Sequence, residues 1–387
     1  MLILKPVCGW PAGAILLAVL MASCRKPPSR QQFETVAISN VQPRRDVNGK
    51  IVDAHDGCLR FFNGTFYLYG TGYGNSNGYG TNNHYRVYSS PDLGQWTFER
   101  KLLQHAPTGI YYRPYVVFNA RTRKYVLWYN WYPRLWHGQT GVAVSDTPTG
   151  PFTIVNTNVQ LHAAVPGDGS LFVDDDGTGY YIYTALNEGG TIRVERLTPD
   201  YLASTGETSG ILAMGTESPL LFRRKNLYYA LCGPRCAFCP EGSEVQFLTA
   251  TSPLGPYTAK SQSDINRQPE GGVSDKAASE LWAVSVSSSD ATNVNERLPD
   301  GSEKKSPMII RTKNRPLIAG QETSVAMIPT GSGPMFIWMA DRWGSCLDGI
   351  KGHDFQFWSM PLRFGANGDI LPIRNVPQWH IEWAKKH

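Results

Sequence analysis

One supersecondary phrase recurs five times along the chain: apolar residues, a turn, then an aromatic-rich run. The copies are Leu59 to Tyr69, Val116 to Trp128, Leu171 to Tyr183, Leu220 to Leu231 and Val325 to Trp338. A repeat constrains the fold more than any single motif, because units with one pattern must bury their apolar faces against one another. Each copy reads as a β-hairpin. With Tyr67, Val126, Tyr181, Tyr229 and Phe336 as equivalent positions, the spacings are 59, 55, 48 and 107 residues, the last being one repeat plus an insertion. Most copies are followed by a second turn phrase: Ser89 to Trp96, Ser145 to Phe152, Leu197 to Tyr201 and Thr251 to Tyr257. Each unit therefore holds about four strands, which is one propeller blade. The expected fold is all-β, a five-bladed β-propeller over residues 48–387. Residues from about 260 to 316 are polar, Ser-rich and lack the phrase, so they read as an excursion between the fourth and fifth blades. A degenerate sixth blade around Leu281 to Val286 is the alternative.

Composition agrees with many short strands: 11 Trp, 19 Tyr and 15 Phe stand with 38 Gly and 27 Pro. The net charge of +5 is spread along the chain without a Lys/Arg run, which argues against nucleic acid as a partner. Lys5 and the apolar stretch from Ala12 to Ala22 read as an export signal, too short to span a bilayer. Its end, Leu20-Met-Ala-Ser-Cys24, resembles a bacterial lipoprotein box, so residues 1–24 are expected to be removed at, or lipidated on, Cys24. Residues 25–47 read as a polar, Pro-rich linker. The expected location is the periplasm or outer membrane, or the exterior if secreted. The protein is expected to be monomeric and to meet a membrane only through that lipid.

In a propeller the innermost strands line a central channel, so residues entering them from different blades converge. Just before the phrases stand Asp56, Asp168 and Glu217, with Tyr112-Arg113-Pro114 in the second unit and Gln321-Glu322-Thr323 in the fifth. Cleaving a glycosidic bond with inversion needs one carboxylic acid to protonate the leaving oxygen. It also needs one carboxylate to activate water, roughly 6.5 to 9.5 Å away. A third carboxylate raises the pKa of the acid by like-charge repulsion.

On the segments Asp168-Gly-Ser-Leu-Phe-Val-Asp-Asp-Asp-Gly177, Glu217-Ser-Pro-Leu-Leu-Phe222 and Ser252-Pro-Leu-Gly-Pro-Tyr257 the sequence resembles glycoside hydrolase family 43. The resemblance covers about residues 50 to 385. It implies an inverting enzyme acting on plant-type glycans such as β-1,3-galactan, arabinan or xylan side chains. It also implies a base at Asp56, a pKa modulator at Asp168 and an acid at Glu217. Ala54-His-Asp-Gly57, Tyr112-Arg-Pro-Tyr115, Gly320-Gln-Glu-Thr323 and Ala340-Asp-Arg-Trp343 are most similar to the exo-β-1,3-galactanase branch, which is thought to use a blade-five glutamine, here Gln321, as an imidic base. Two positions depart from that branch: Asp56 stands where it has glycine, and Tyr112 where it usually places a substrate-binding Glu. Through the same motifs Arg113, Asp341 and Arg342 become expected substrate contacts. His55 reads as an oriented hydrogen-bonding residue on the channel floor.

Sugar rings offer flat C–H faces to aromatic rings, so Tyr73, Tyr112, Trp131, Trp136 and Trp343 are expected subsite residues. The polar stretch 72–83 is too long for a hairpin turn and is expected to wall one side of the pocket. Asp174 to Asp176 read as an exposed hairpin turn rather than a calcium run. Cys232-x3-Cys236-x2-Cys239 has the spacing of a radical iron–sulfur motif but follows a β phrase in an exported chain. No cofactor or metal is expected. Cys58, Cys232, Cys236, Cys239 and Cys346 can form at most two disulfides, with the pairing open. The rival function is a propeller that binds glycan without cleaving it. A retaining fructan-cleaving enzyme is disfavoured because its Trp-Met-Asn-Asp-Pro nucleophile motif is absent.

Overall fold

The computed structural model describes residues 33–235, 238, 243, 245–264, 295–297, 303–305, 318–330 and 333–384. After β1 (Phe33–Ser39), the first blade is β2 (His55–Phe62), β3 (Thr65–Gly72), β4 (His84–Ser90) and β5 (Thr97–Lys101). The second is β6 (Ile110–Asn119), β7 (Lys124–Tyr132), β8 (Gln139–Ser145) and β9 (Thr153–Asn156). The third is β10 (Pro166–Val173), β11 (Gly179–Ala185), β12 (Thr191–Leu197) and β13 (Ser204–Thr208). The fourth is β14 (Thr216–Arg224), β15 (Leu227–Pro234), β16 (Gln246–Ala250) and β17 (Thr258–Asp264). A short pair, β18 (Asn295–Arg297) and β19 (Glu303–Lys305), lies in the expected excursion, whose remaining residues, including Leu281 to Val286, fall outside the described residues. The fifth blade is β20 (Gln321–Ile328), β21 (Met335–Arg342) and β22 (Phe355–Trp358), and β23 (Gln378–Ala384) ends the order. All five repeated phrases are the first hairpins of blades, and the four second phrases are the turns between third and fourth strands.

Two departures from the sequence reading occur where the ring closes. Among the described residues the fifth blade has three strands of its own rather than four. Residues 33–39, expected within the linker, form β1 and pair antiparallel with β23. That ribbon sits beside β22, where the Asn40 side chain accepts from the Trp358 amide at 2.9 Å and donates to the Trp358 carbonyl at 3.0 Å, imitating a ladder. Val36 and Ile38 are buried while Thr35 and Ala37 are exposed, the alternation of a half-buried strand hidden beside a Pro-rich stretch.

The aromatic excess goes into joints between blades. Trp128 packs on Tyr181 with centroids 4.7 Å apart, Phe222 on Phe336 at 5.2 Å, and Trp96 edge-on to Trp358 at 5.9 Å. Such pairs contribute about 0.5–1.5 kcal/mol each beyond the area they bury. The inner strands β2, β6, β10, β14 and β20 stand side by side around the axis, with β20 returning to β2.

The start of every inner strand carries a β-bulge: between His55 and Cys58, Tyr112 and Pro114, Pro166 and Gly169, Glu217 and Leu220, and Glu322 and Ser324. A bulge re-aims a side chain and bends the strand. At three of them a non-glycine residue is left-handed: Asp56 (φ 58°), Arg113 (φ 55°) and Ser218 (φ 58°). That conformation costs free energy for a residue with a Cβ and is found where surrounding structure imposes it. Gly57 is required at the first bulge, since a Cβ there would stand 1.8 Å from the Tyr69 carbonyl oxygen.

Candidate active site

The five bulges turn their residues toward one cavity of about 180 Å³ at the end of the channel. Asp56, Arg113, Asp168, Glu217 and Gln321 line it, one from each blade, together with Tyr73, Tyr112 and Trp136.

Arg113 is the hub. Its guanidinium is buried, donates to the Glu322 carbonyl at 2.9 Å and to Ser218 Oγ at 2.5 Å, and pairs with Asp168 Oδ2 at 3.2 Å. The same Asp168 oxygen accepts from the Ser218 amide at 3.2 Å and its hydroxyl at 3.1 Å. Burial opposes the Arg113 charge, but Asp168 and Asp56 outweigh it and hold the group above its ordinary value.

Asp56 accepts a short hydrogen bond from the Tyr73 hydroxyl, and its backbone amide donates to Asp341 Oδ2 at 2.6 Å. The Asp56 carboxyl is raised to about 7, first by burial and then by Asp341 and Asp168, against the opposing pull of Arg113 and Tyr73. Beneath lies His55, fully buried, with Nδ1 3.0 Å from Asp341 Oδ1 and Nε2 3.7 Å from Asp53 Oδ1. Burial lowers the His55 pKa, but Asp341, Asp53 and Asp56 more than offset it and raise it to about 9. Asp53 also receives the Tyr73 and Gly74 amides at 2.9 and 2.8 Å and Arg86 at 3.0 Å, which anchors the 72–83 loop.

Gln321 has both ends of its amide engaged. The Trp343 indole donates to Oε1 at 2.9 Å, and Nε2 donates to Glu217 Oε1 at 2.7 Å and Ser218 Oγ at 3.1 Å. An indole N–H can only donate, so the amide orientation follows from the contact.

Not every expected residue reaches the cavity. Trp131 is buried, donates to the Thr157 carbonyl at 2.7 Å and stacks on Tyr111, so it is a packing residue rather than a subsite. Arg342 turns away, donating to the Asn40 carbonyl at 3.1 Å, with its guanidinium over the Phe355 ring. Both errors are one-residue errors on a strand whose side chains alternate: Tyr132 lines the cavity where Trp131 was expected, and Asp341 faces the site floor while Arg342 does not. His55 and Asp341 support the cavity from below, and Trp343 flanks it through Gln321, His55 and Tyr73.

Sequence reasoning missed Tyr79, Tyr132, Thr184, Leu186, Arg235 and Phe238 among the lining residues. Tyr79 belongs to the 72–83 loop expected to wall the pocket, and it packs on Phe238, Trp136, Tyr112 and Tyr132. Thr184 carries a buried hydroxyl with no partner among the described residues. Asp174 to Asp176 form a turn whose Asp174 carboxylate is held by Arg223 at 2.7 Å and by Tyr228. Cys58, Cys232 and Cys346 are free thiols, while Cys236 and Cys239 lie outside the described residues.

Solved structures similar to this chain include an exo-β-1,3-galactanase of Phanerochaete chrysosporium with β-1,3-galactotriose: 22% identity, TM-score 0.67, covering 89% of this chain and 68% of that one. Another is an exo-β-1,3-galactanase of Clostridium thermocellum, at 21% identity and TM-score 0.64, covering 88% and 66%. At such identity they establish the fold. Among curated proteins, an arabinoxylan arabinofuranohydrolase of Bacillus subtilis is 31% identical over 153 residues. That match takes in 31% of this chain and 28% of the relative, so the chain spans well under two thirds of the relative's length. The family model of glycosyl hydrolases family 43 matches residues 62–284, more than half of the chain and including Asp168 and Glu217. The chain therefore belongs to glycosyl hydrolase family 43.

Proposed function

We propose that the protein is an inverting, exo-acting glycoside hydrolase of plant-type glycans, with Asp56 as base, Glu217 as acid and Asp168 as modulator of the acid. The observation that carries this reading is the convergence of three carboxylates from three blades on one cavity. A volume of about 180 Å³ is below the roughly 300–1,000 Å³ of sites that enclose drug-sized ligands, which suits one terminal sugar ring. The exposed Trp136 ring offers a face to the next sugar. The galactanase likeness and the arabinofuranohydrolase match favour β-1,3-galactan and arabinose-decorated xylan as the first substrates to try. Export through residues 1–24, with lipid on Cys24, would place the enzyme outside the cytoplasm where such glycans are met.

A base with its pKa near neutrality is poised to accept a proton from water. Asp56 at about 7 meets that condition, and Gln321, with its amide engaged at both ends, orients rather than accepts. The test is product analysis on both glycans by NMR. A single monosaccharide released with inverted anomeric configuration is expected. Retention would reject single displacement, and binding without release would leave a glycan-binding propeller.

Tyr73 gives a pH readout for the base. Its hydrogen bond lowers the Asp56 pKa, so Tyr73→Phe raises it and moves the acidic limb of kcat/KM to higher pH. An acidic limb that stays in place would remove Asp56 as the titrating base.

A further inference from the structure

The cavity holds a second guanidinium that the proposed chemistry does not use. Arg113 is already the counter-ion of Asp168, Asp56 and Glu217. Arg235, at the end of β15, also lines the cavity, yet no hydrogen bond or ion pair joins it to any of the described residues. Arg235 is exposed, and its stem passes close to Gly190 in the β11–β12 connection. Gly190 is left-handed (φ 78°), and a Cβ built on it would stand 2.5 Å from Arg235 Cδ and 3.2 Å from Nε. The guanidinium charge reaches Tyr132: burial pushes that phenol up, and Arg235 acts in the opposite sense.

A guanidinium at the cavity with no partner among the described residues matches a planar anion through two parallel N–H···O bonds. In a cavity built for one sugar ring, the planar anion that fits beside the ring is a sugar carboxylate. We infer that Arg235 binds a uronic-acid unit attached next to the cleaved bond, so the preferred substrate is an acidic branch of the glycan rather than a neutral chain. This rests on the hydrolase reading for its substrate but not for its test, because binding is read in a Glu217→Gln background in which turnover is slowed.

The decisive measurement is calorimetric titration of that Glu217→Gln protein with a galactobiose bearing glucuronate, the same sugar with its carboxyl group reduced, and one bearing a sulfate ester. The uronate-bearing sugar is expected to bind about 10-fold or more tightly than the reduced one, the usual scale of hydrogen bonds to charged groups. Arg235→Gln should erase that ratio, and Arg235→Lys should restore only part of it, since an ammonium lacks the fork. Gly190→Ala, which displaces the stem, should reduce it as well. Equal affinity for the acidic and reduced sugars, or a ratio untouched by Arg235→Gln, would overturn the inference. A preference for the sulfate ester alone would overturn the carboxylate assignment. If instead Arg235 merely balances the cavity carboxylates, its loss shifts the pH profile for acidic and neutral sugars alike. Failure of hydrolysis with the binding ratio intact would sink the hydrolase reading and leave this one standing.

Discussion

Glu217→Gln should lower turnover of a natural oligosaccharide by about 10³-fold, within the 10² to 10⁴ that a positioned general acid contributes. The substitution is nearly isosteric, and the contact with Gln321 Nε2 at 2.7 Å survives because an amide carbonyl also accepts. What disappears is the proton delivered to the leaving oxygen. A nitrophenyl leaving group departs without that proton, so the same variant should lose far less on nitrophenyl glycosides. Equal losses on both substrates would take Glu217 out of the acid role. Ser218 beside it is locked to Asp168 and Arg113 at the bulge, so a loss confined to natural substrates reports chemistry rather than local collapse.

Asp56→Asn should cost about 10²-fold or more, and Gln321→Ala less. Asparagine tolerates the left-handed φ of 58° at this position and can still accept from Tyr73, so the backbone and the pocket stay as they are. It cannot take a proton from water. Gln321 is already engaged at both ends of its amide: Oε1 accepts from the Trp343 indole and Nε2 is turned to Glu217 and Ser218. Its removal should act mainly by loosening Glu217. Azide should partly rescue Asp56→Ala by occupying the path of the attacking water. The reverse order, with Asp56→Asn nearly silent and Gln321→Ala inactive, would assign water activation to the glutamine.

The repeat phrase located the first hairpin of each of the five blades and the turns between third and fourth strands, because alternation and turn chemistry are local properties. It also located Asp56, Arg113, Asp168, Glu217 and Gln321, since equivalent positions in a closed ring must converge. The sequence did not reveal the face on which each neighbour falls. Trp131 was the expected subsite residue, and only the strand register puts its neighbour Tyr132 in the cavity instead. The strand at 33–39 was obscured because its partner, 378–384, lies at the far end of the chain. Arg235 is silent in sequence for a similar reason: the cavity it lines is built from the other blades, and its stem passes Gly190, 45 residues away. The Asp56 pKa, too, is set first by burial and then by Arg113, Asp341, Tyr73 and Asp168, drawn from four blades. Local pattern determined the scaffold and which residues meet; long-range packing decided their orientation, their burial and therefore their charge.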